Sequence, residues 1–381
     1  RNEAGAEDFA FSGLAKFNTK DYKGTVTDLT KAVDNGNTSA KVVGARGVAY
    51  VELKEYEKSR TSLLSLETQT PIKDFDVVAF SISFETDYLN MAKMLQLSNI
   101  PVWAEKRNHF HPLVVMGGAA SFLNPEPIAD FTDVIAVGEG EILAHQLIDT
   151  ILEGGDKDEI LLNLAKFGRG FYVPSLYDVI YNEDGTVFDY LPKQIGVPKR
   201  VGRALASNNP KEGTLRRAMK RGEDELKEFL LSQDVFCPST SVWSPKAEMG
   251  DRLLVEISRG CSQGCRFCWA GYNYYPPRVV PAKDILAKAA EWRGKTNKIG
   301  LVSTAVCDHP EISTILSELR KMDYKITVSS LRLDQISDEL LDALVESNDQ
   351  QIAVAPVTGS DRLRRVINKN LTNDEIVDIC G

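Results

Sequence analysis

Four short apolar runs recur at steady spacing in the last third of this chain, at residues 253–258, 298–303, 325–330 and 351–355. Helix-like stretches lie between them, near 282–293, 311–322 and 337–347. Continuous apolar runs separated by helical patterns read as buried parallel strands joined by crossovers. Repeated βα units of this length predict a (β/α) barrel, with chemistry at the carboxyl ends of the strands.

The loop after the first run reads Ser258-Arg259-Gly260-Cys261-Ser262-Gln263-Gly264-Cys265-Arg266-Phe267-Cys268-Trp269. Cys261, Cys265 and Cys268 therefore stand at C-x3-C-x2-C spacing. Thiolate is the usual ligand of iron–sulfur clusters, and most clusters take four. Three thiolates on one short loop, with no fourth nearby, predict a cubane cluster with one iron left open. Gly260 and Gly264 allow the tight turns such a loop needs. Zinc by the same thiols is the competing reading, but a closed zinc site is normally built from paired C-x2-C ligands. No second pair is present; Cys237, Cys307 and Cys380 are scattered singly. A disulfide framework is not expected in a long chain with no visible leader.

A length of 381 residues predicts two or three domains. A net charge of −9 argues against a broad nucleic-acid surface. No apolar run approaches the length of a membrane span, and a cytoplasmic protein is expected. The start at Arg1 and the stop at Gly381, just after a helix-like run over 372–379, read as cuts, so a fragment is expected.

Residues 1–64 carry an internal repeat of period 34: Gly13, Ala15, Phe17, Asp21 and Tyr22 are echoed by Gly47, Ala49, Val51, Glu55 and Tyr56. That period predicts tetratricopeptide-like helical pairs. Their first helices are expected over 9–19 and 40–53, and a last helix from 55 to about 66. Such an all-α segment offers a groove to a protein partner or caps the next domain.

Residues 65–165 switch to strands over 76–83, 112–116 and 133–137, with a helix over 87–97. This predicts a Rossmann-like parallel-sheet domain. Two strand ends carry Gly117-Gly118 and Gly138-Glu139-Gly140-Glu141, where ligands of open parallel sheets bind. Residues 166–250 read as a connector. It holds a hairpin from 170 to 192, turning at 182–185, and a basic, charge-interleaved helix over 214–231. The last region spans 251–381.

With a strand before the first cysteine and Phe267 before the last, the cysteine loop resembles the hallmark of the radical S-adenosylmethionine (radical SAM) superfamily. The fold class it implies is α/β: a partial radical SAM barrel preceded by the Rossmann-like domain and the helical segment. The stretch 65–165, with Pro125-Glu126-Pro127 between its glycine loops, resembles the cobalamin-binding-like domain found upstream of many such enzymes. Three of its usual five strands are visible, and it has no D-x-H-x-x-G motif; His109, His111 and His145 lack that context.

The resemblance implies a 4Fe–4S cluster on Cys261, Cys265 and Cys268, chelating the amino and carboxylate groups of S-adenosylmethionine. One-electron reduction then cleaves the sulfonium to a 5′-deoxyadenosyl radical, fed by a donor such as flavodoxin or ferredoxin. It implies Phe267 near the adenine, and Ser303, Thr304, Arg332 and Ser360 as cofactor contacts. Arg332 also has Asp334 as a surface partner. Gly117, Gly118, Gly138, Glu139 and Gly140 would line a cobalamin site. At the fourth run the family pattern P-E-x-G-S is replaced by Pro356-Val357-Thr358-Gly359-Ser360. Methyl or methylthio transfer is the implied subclass. The alternative is a non-catalytic iron–sulfur scaffold docked through the helical repeats.

Overall fold

The computed structural model describes residues 3–35, 37, 46, 49, 63–206, 237–242, 244, 249–348 and 352–380. The second expected helical pair and the basic helix over 214–231 lie outside the described residues. The chain forms two compact units, Arg1–Ala204 and Leu205–Gly381.

The first unit opens with a helical hairpin, α1 (Glu3–Asn18) and α2 (Tyr22–Asp34). Asp21 starts α2 by accepting the Gly24 N–H at 3.0 Å, which satisfies one orphan donor of the first turn. Leu29 and Ala32 of α2 are buried against Ala10 of α1. Gly13 has no room for a Cβ, because Leu29 occupies the place. The small residue of the repeat thus sets how closely the helices approach. α1 begins six residues before the expected start at Phe9.

A four-stranded sheet follows: β1 (Val77–Ser81), β2 (Leu113–Gly117), β3 (Val134–Ala136) and β4 (Phe171–Tyr172), in that order. The first three are parallel and β4 runs antiparallel to β3. α3 (Tyr88–Leu97), α4 (Gly140–Leu152) and α5 (Lys157–Lys166) bury Met91, Leu95, Leu143 and Leu164 against it. Here the structure departs from expectation. Phe171 and Tyr172, expected in the hairpin, belong to the sheet. The hairpin is β5 (Tyr177–Tyr181) with β6 (Val187–Pro192). A buried Asp133 accepts the Val114 N–H at 2.8 Å and pairs with buried Arg107 at 3.1 Å, fixing where β2 and β3 begin.

The second unit is built on β7 (Leu253–Glu256), a short β8 (Ser258–Arg259) with its partner β9 (Arg278–Val279), β10 (Lys298–Val302) and β11 (Lys325–Val328). The helix α6 (Trp269–Asn273) follows the cysteines; α7 (Ala282–Glu291), α8 (Ile312–Lys321) and α9 (Asp338–Glu346) lie between or after the strands. β7, β10 and β11 form a parallel sheet in the order β11-β10-β7. One face packs Leu253, Val255, Ile299, Leu301 and Ile326 with helix residues such as Ile285, Leu316, Leu319 and Leu344. This side chain alternation follows the period of two along a strand. The other face, with Arg252, Leu254, Gly300, Lys325 and Thr327, lines a cavity of about 510 Å³.

The fourth expected strand does not form among the described residues. Residues 352–356 carry no ladder, and Ile352 to Ala355 are exposed. An apolar run without a hydrogen-bonded neighbour is not a strand, whatever its composition. Two helices close the unit, α10 (Asp361–Val366) and α11 (Asn373–Cys380). No described helix is long and apolar enough to cross a membrane.

Candidate functional site

The three cysteines sit on an excursion whose neck is β8 paired with β9, Ser258 opposite Val279 and Arg259 opposite Arg278. Val280 N–H extends the closure by donating to Ile257 O at 2.9 Å. Gly260 has φ +87°, and a Cβ there would strike the backbone of Tyr274. Only glycine serves where the two sides of the neck come this close. Cys265 O accepts the Cys268 N–H at 3.0 Å, a turn that places the second and third cysteines on one bend.

Side chains from the rest of the unit grip this loop. Thr304 Oγ1 donates to Gly260 O at 2.7 Å. Gln263 Nε2 donates to Asp308 at 3.0 Å. Asn368 Nδ2 donates to Gln263 O at 2.9 Å and to Gly264 O at 3.0 Å. Arg266 N–H donates to Ile367 O at 2.9 Å, and its guanidinium donates to Val366 O.

A row of serines crosses the carboxyl ends of β7, β10 and β11. Ser258 Oγ lies 2.6 Å from Ser303 Oγ. Ser329 Oγ donates to Ser303 O at 2.8 Å and accepts the Ser303 N–H at 3.0 Å. Ser303, expected as a cofactor contact, is thus buried in a lattice of hydroxyls that ties the three strand ends together. Thr304, its neighbour, works on the cysteine loop itself.

Arg332 is engaged on both sides. It pairs with Asp308 at 2.6 Å and with Asp334. Burial works against its charge, but the two carboxylates overcome this and hold it above the ordinary arginine value. The expected partner Asp334 is present; Asp308 is the partner that the sequence did not announce. Ser360 accepts the Leu363 N–H at 3.4 Å as the cap of α10. Phe267 stands 54% exposed at the rim of the loop. Trp269 and Tyr274 meet edge to face with ring centroids 5.4 Å apart.

Burial, then Asp308 and the two sister thiols, push the Cys261 thiol up. Among the described residues no group of three or more His, Cys, Asp or Glu side chains is already gathered in coordinating geometry. A metal that displaces thiol protons supplies the attraction that gathers such ligands. The donor set itself fits an iron–sulfur cluster: three thiols, none in a disulfide, on one braced loop.

The glycine loops of the first unit form a separate set. A Cβ on Gly118, at φ +93°, would lie 2.5 Å from Ile82 O, and one on Gly138 would lie 2.6 Å from Ala204 O. At these two positions the chain's own backbone fills the space, whereas nothing lies within 4 Å of the place a Cβ would take at Gly140. Glu139 is buried, with its N–H donating to Ala204 O at 3.1 Å, and Gly140 begins α4. Gly117 ends β2, beside Ala136.

Comparison with known proteins follows the same division. Residues 45–174 match the family described as radical SAM proteins, N-terminal. An uncharacterized protein of Methanocaldococcus jannaschii is 27% identical over 328 residues, 86% of this chain and 59% of its own length. The chain therefore spans about three fifths of the relative that it matches. Residues 255–381, which contain the cysteine loop and its braces, match the radical SAM superfamily, so this chain carries radical SAM domains.

Proposed function

We propose that this chain is the core of a radical SAM enzyme. Cys261, Cys265 and Cys268 would hold a 4Fe–4S cluster, and S-adenosylmethionine would be its partner at this site. When bound, the cluster and S-adenosylmethionine would supply one-electron reductive cleavage of the sulfonium. The electron comes from a reduced flavodoxin or ferredoxin in a cytoplasmic setting. The observation that carries the reading is the C-x3-C-x2-C loop standing at the carboxyl end of a parallel strand, within the region that matches the superfamily.

The protein's own residues orient and shield. Thr304 and Asn368 hold the loop backbone, and Gln263 ties the loop to Asp308. Ser258, Ser303 and Ser329 fix the strand ends beneath it. Phe267, exposed at the rim, is available to an adenine ring. Arg332 shapes the site wall through Asp308 and Asp334.

Methyl or methylthio transfer is the subclass that we propose, supported by a parallel-sheet unit of the kind found upstream of such barrels. The glycine loops do not support a cobalamin seat, since Ile82 and Ala204 occupy the space at Gly118 and Gly138. Capture of a protein partner by the helical hairpin stays part of the proposal. A second reading, a non-catalytic iron–sulfur scaffold, is favoured by the double engagement of Arg332 and by Val357 where the family pattern has an acid.

Anaerobic reconstitution with ferrous iron and sulfide, followed by dithionite and S-adenosylmethionine, tests the first reading. 5′-Deoxyadenosine should form with the native chain and vanish with Cys265→Ala. A cluster without 5′-deoxyadenosine selects the scaffold. A colourless protein with tetrahedral zinc sinks both.

A further inference from the structure

Asn368 has no place in the superfamily's cysteine hallmark, yet its side chain makes two hydrogen bonds to the backbone of the cysteine loop. Its amide group carries two hydrogens, and the two bonds from Nδ2 go to successive carbonyls, Gln263 O at 2.9 Å and Gly264 O at 3.0 Å. Both peptides lie between Cys261 and Cys265. The flanking residues complete the grip. Ile367 O accepts the Arg266 N–H at 2.9 Å, and Val366 O accepts from the Arg266 guanidinium. The strip 366–368 thus holds the loop on both sides of Cys265.

The strip is itself rigid. Asn368 has φ +58°, a left-handed conformation that asparagine adopts more readily than most residues. The turn is closed by Lys369 N–H donating to Arg364 O at 2.8 Å. Arg364 is fully buried. Its guanidinium donates to Thr358 O, Leu371 O, Asp361 and Asn373, residues before and after the strip. A buried guanidinium is tolerated only when its donors are satisfied. Here they pin the segment from Thr358 to Asn373 around one fixed point.

We propose that Asn368 is a positioning residue of the cluster site: it fixes the peptides between Cys261 and Cys265, with the Arg364 hub as its anchor. This rests on the cluster reading above, and the test separates the two. Partners that orient metal ligands are typically worth about 10- to 100-fold in metal affinity.

The test compares the full chain with Asn368→Gly and Asn368→Asp. Both replacements suit a left-handed backbone; glycine removes the donors and aspartate puts acceptors in their place. Iodoacetamide labelling of the metal-free proteins is followed at Cys261 and Cys265 by mass spectrometry, with Cys237 as internal reference. Loss of cluster colour under EDTA is followed after anaerobic reconstitution. The expected result is faster labelling of Cys265 in both variants, unchanged Cys237, and cluster loss about 10- to 100-fold faster, with aspartate at least as severe as glycine. Two results overturn the proposal: variants that label and bleach like the native chain, or labelling of Cys237 that rises in parallel, which marks general loosening. If no protein takes up iron, the proposed function fails, while the labelling rates still decide the clamp.

Discussion

Arg332 faces Asp308 at 2.6 Å, and the same carboxylate accepts from Gln263 of the cysteine loop at 3.0 Å. A side chain expected at a ligand therefore belongs to a bridge between the end of β11 and the cysteine loop. Asp308→Asn keeps the shape and removes the charge. Hydrogen bonds to charged groups contribute about 1.5–3 kcal/mol where they are shielded, and these side chains are about a quarter exposed. A loss of about 1–2 kcal/mol is expected by urea unfolding. An unchanged midpoint counts against the bridge.

The thiols divide into two classes. Cys237, pushed up to about 11 by burial, packs beside the core of the second unit. Replacing Cys237, Cys307 or Cys380 by alanine should leave the iron content of the reconstituted protein unchanged. Cys261→Ala, Cys265→Ala and Cys268→Ala should each remove the visible chromophore. Iron and sulfide assays per chain check both halves of this statement.

His309 gives the second unit a dependence on acid. Burial holds its imidazole below the ordinary histidine value. Nε2 lies 2.9 Å from Val280 O, which can only accept, and Nδ1 takes the Glu311 N–H at 3.1 Å. Neutral imidazole satisfies both; a proton on Nδ1 breaks the second bond. The unfolded chain binds this proton more readily than the folded one. Stability is therefore complete above the ordinary histidine value of about 6.5 and declines as pH falls below it. Unfolding midpoints measured across this range should fall toward acid in the native chain and flatten in His309→Gln.

Gly118→Ala and Gly138→Ala distinguish a packing role from a ligand-binding one. Both positions have positive φ, and both added methyls would meet backbone. Each substitution should lower thermal stability with no ligand present, by about 1–3 kcal/mol. Unchanged stability, joined to lost ligand binding, supports the opposite assignment.

Core positions were readable because burial leaves a pattern. The runs that became β1, β2, β3, β7, β10 and β11 are continuous apolar segments, and a strand covered on one or both faces needs them. The cysteine loop was readable because ligand chemistry fixes spacing within a few residues. Two-residue β4 was misplaced because Phe171-Tyr172 is too short to show any period. The run over 351–355 has the composition of a strand, but composition does not supply a hydrogen-bonded neighbour. Asn368 and Arg364 were missed for another reason. The carbonyls that Asn368 bonds lie about a hundred residues away, and local sequence carries no trace of such pairing; Arg364 bonds partners no more than nine residues away, but an arginine in sequence reads first as an exposed residue. The one available hint was an asparagine just after a short helix, where a left-handed residue often ends it.

The β8–β9 neck is fastened by polypeptide alone, Ser258 against Val279 and Val280 against Ile257. The neck therefore closes without help from the proposed ligands. The ring proposed to hold iron and sulfide is drawn shut at its base by these backbone bonds, none of which involves a cysteine. Loss of the proposed cluster would then disturb the tip of the loop and leave its paired base in place.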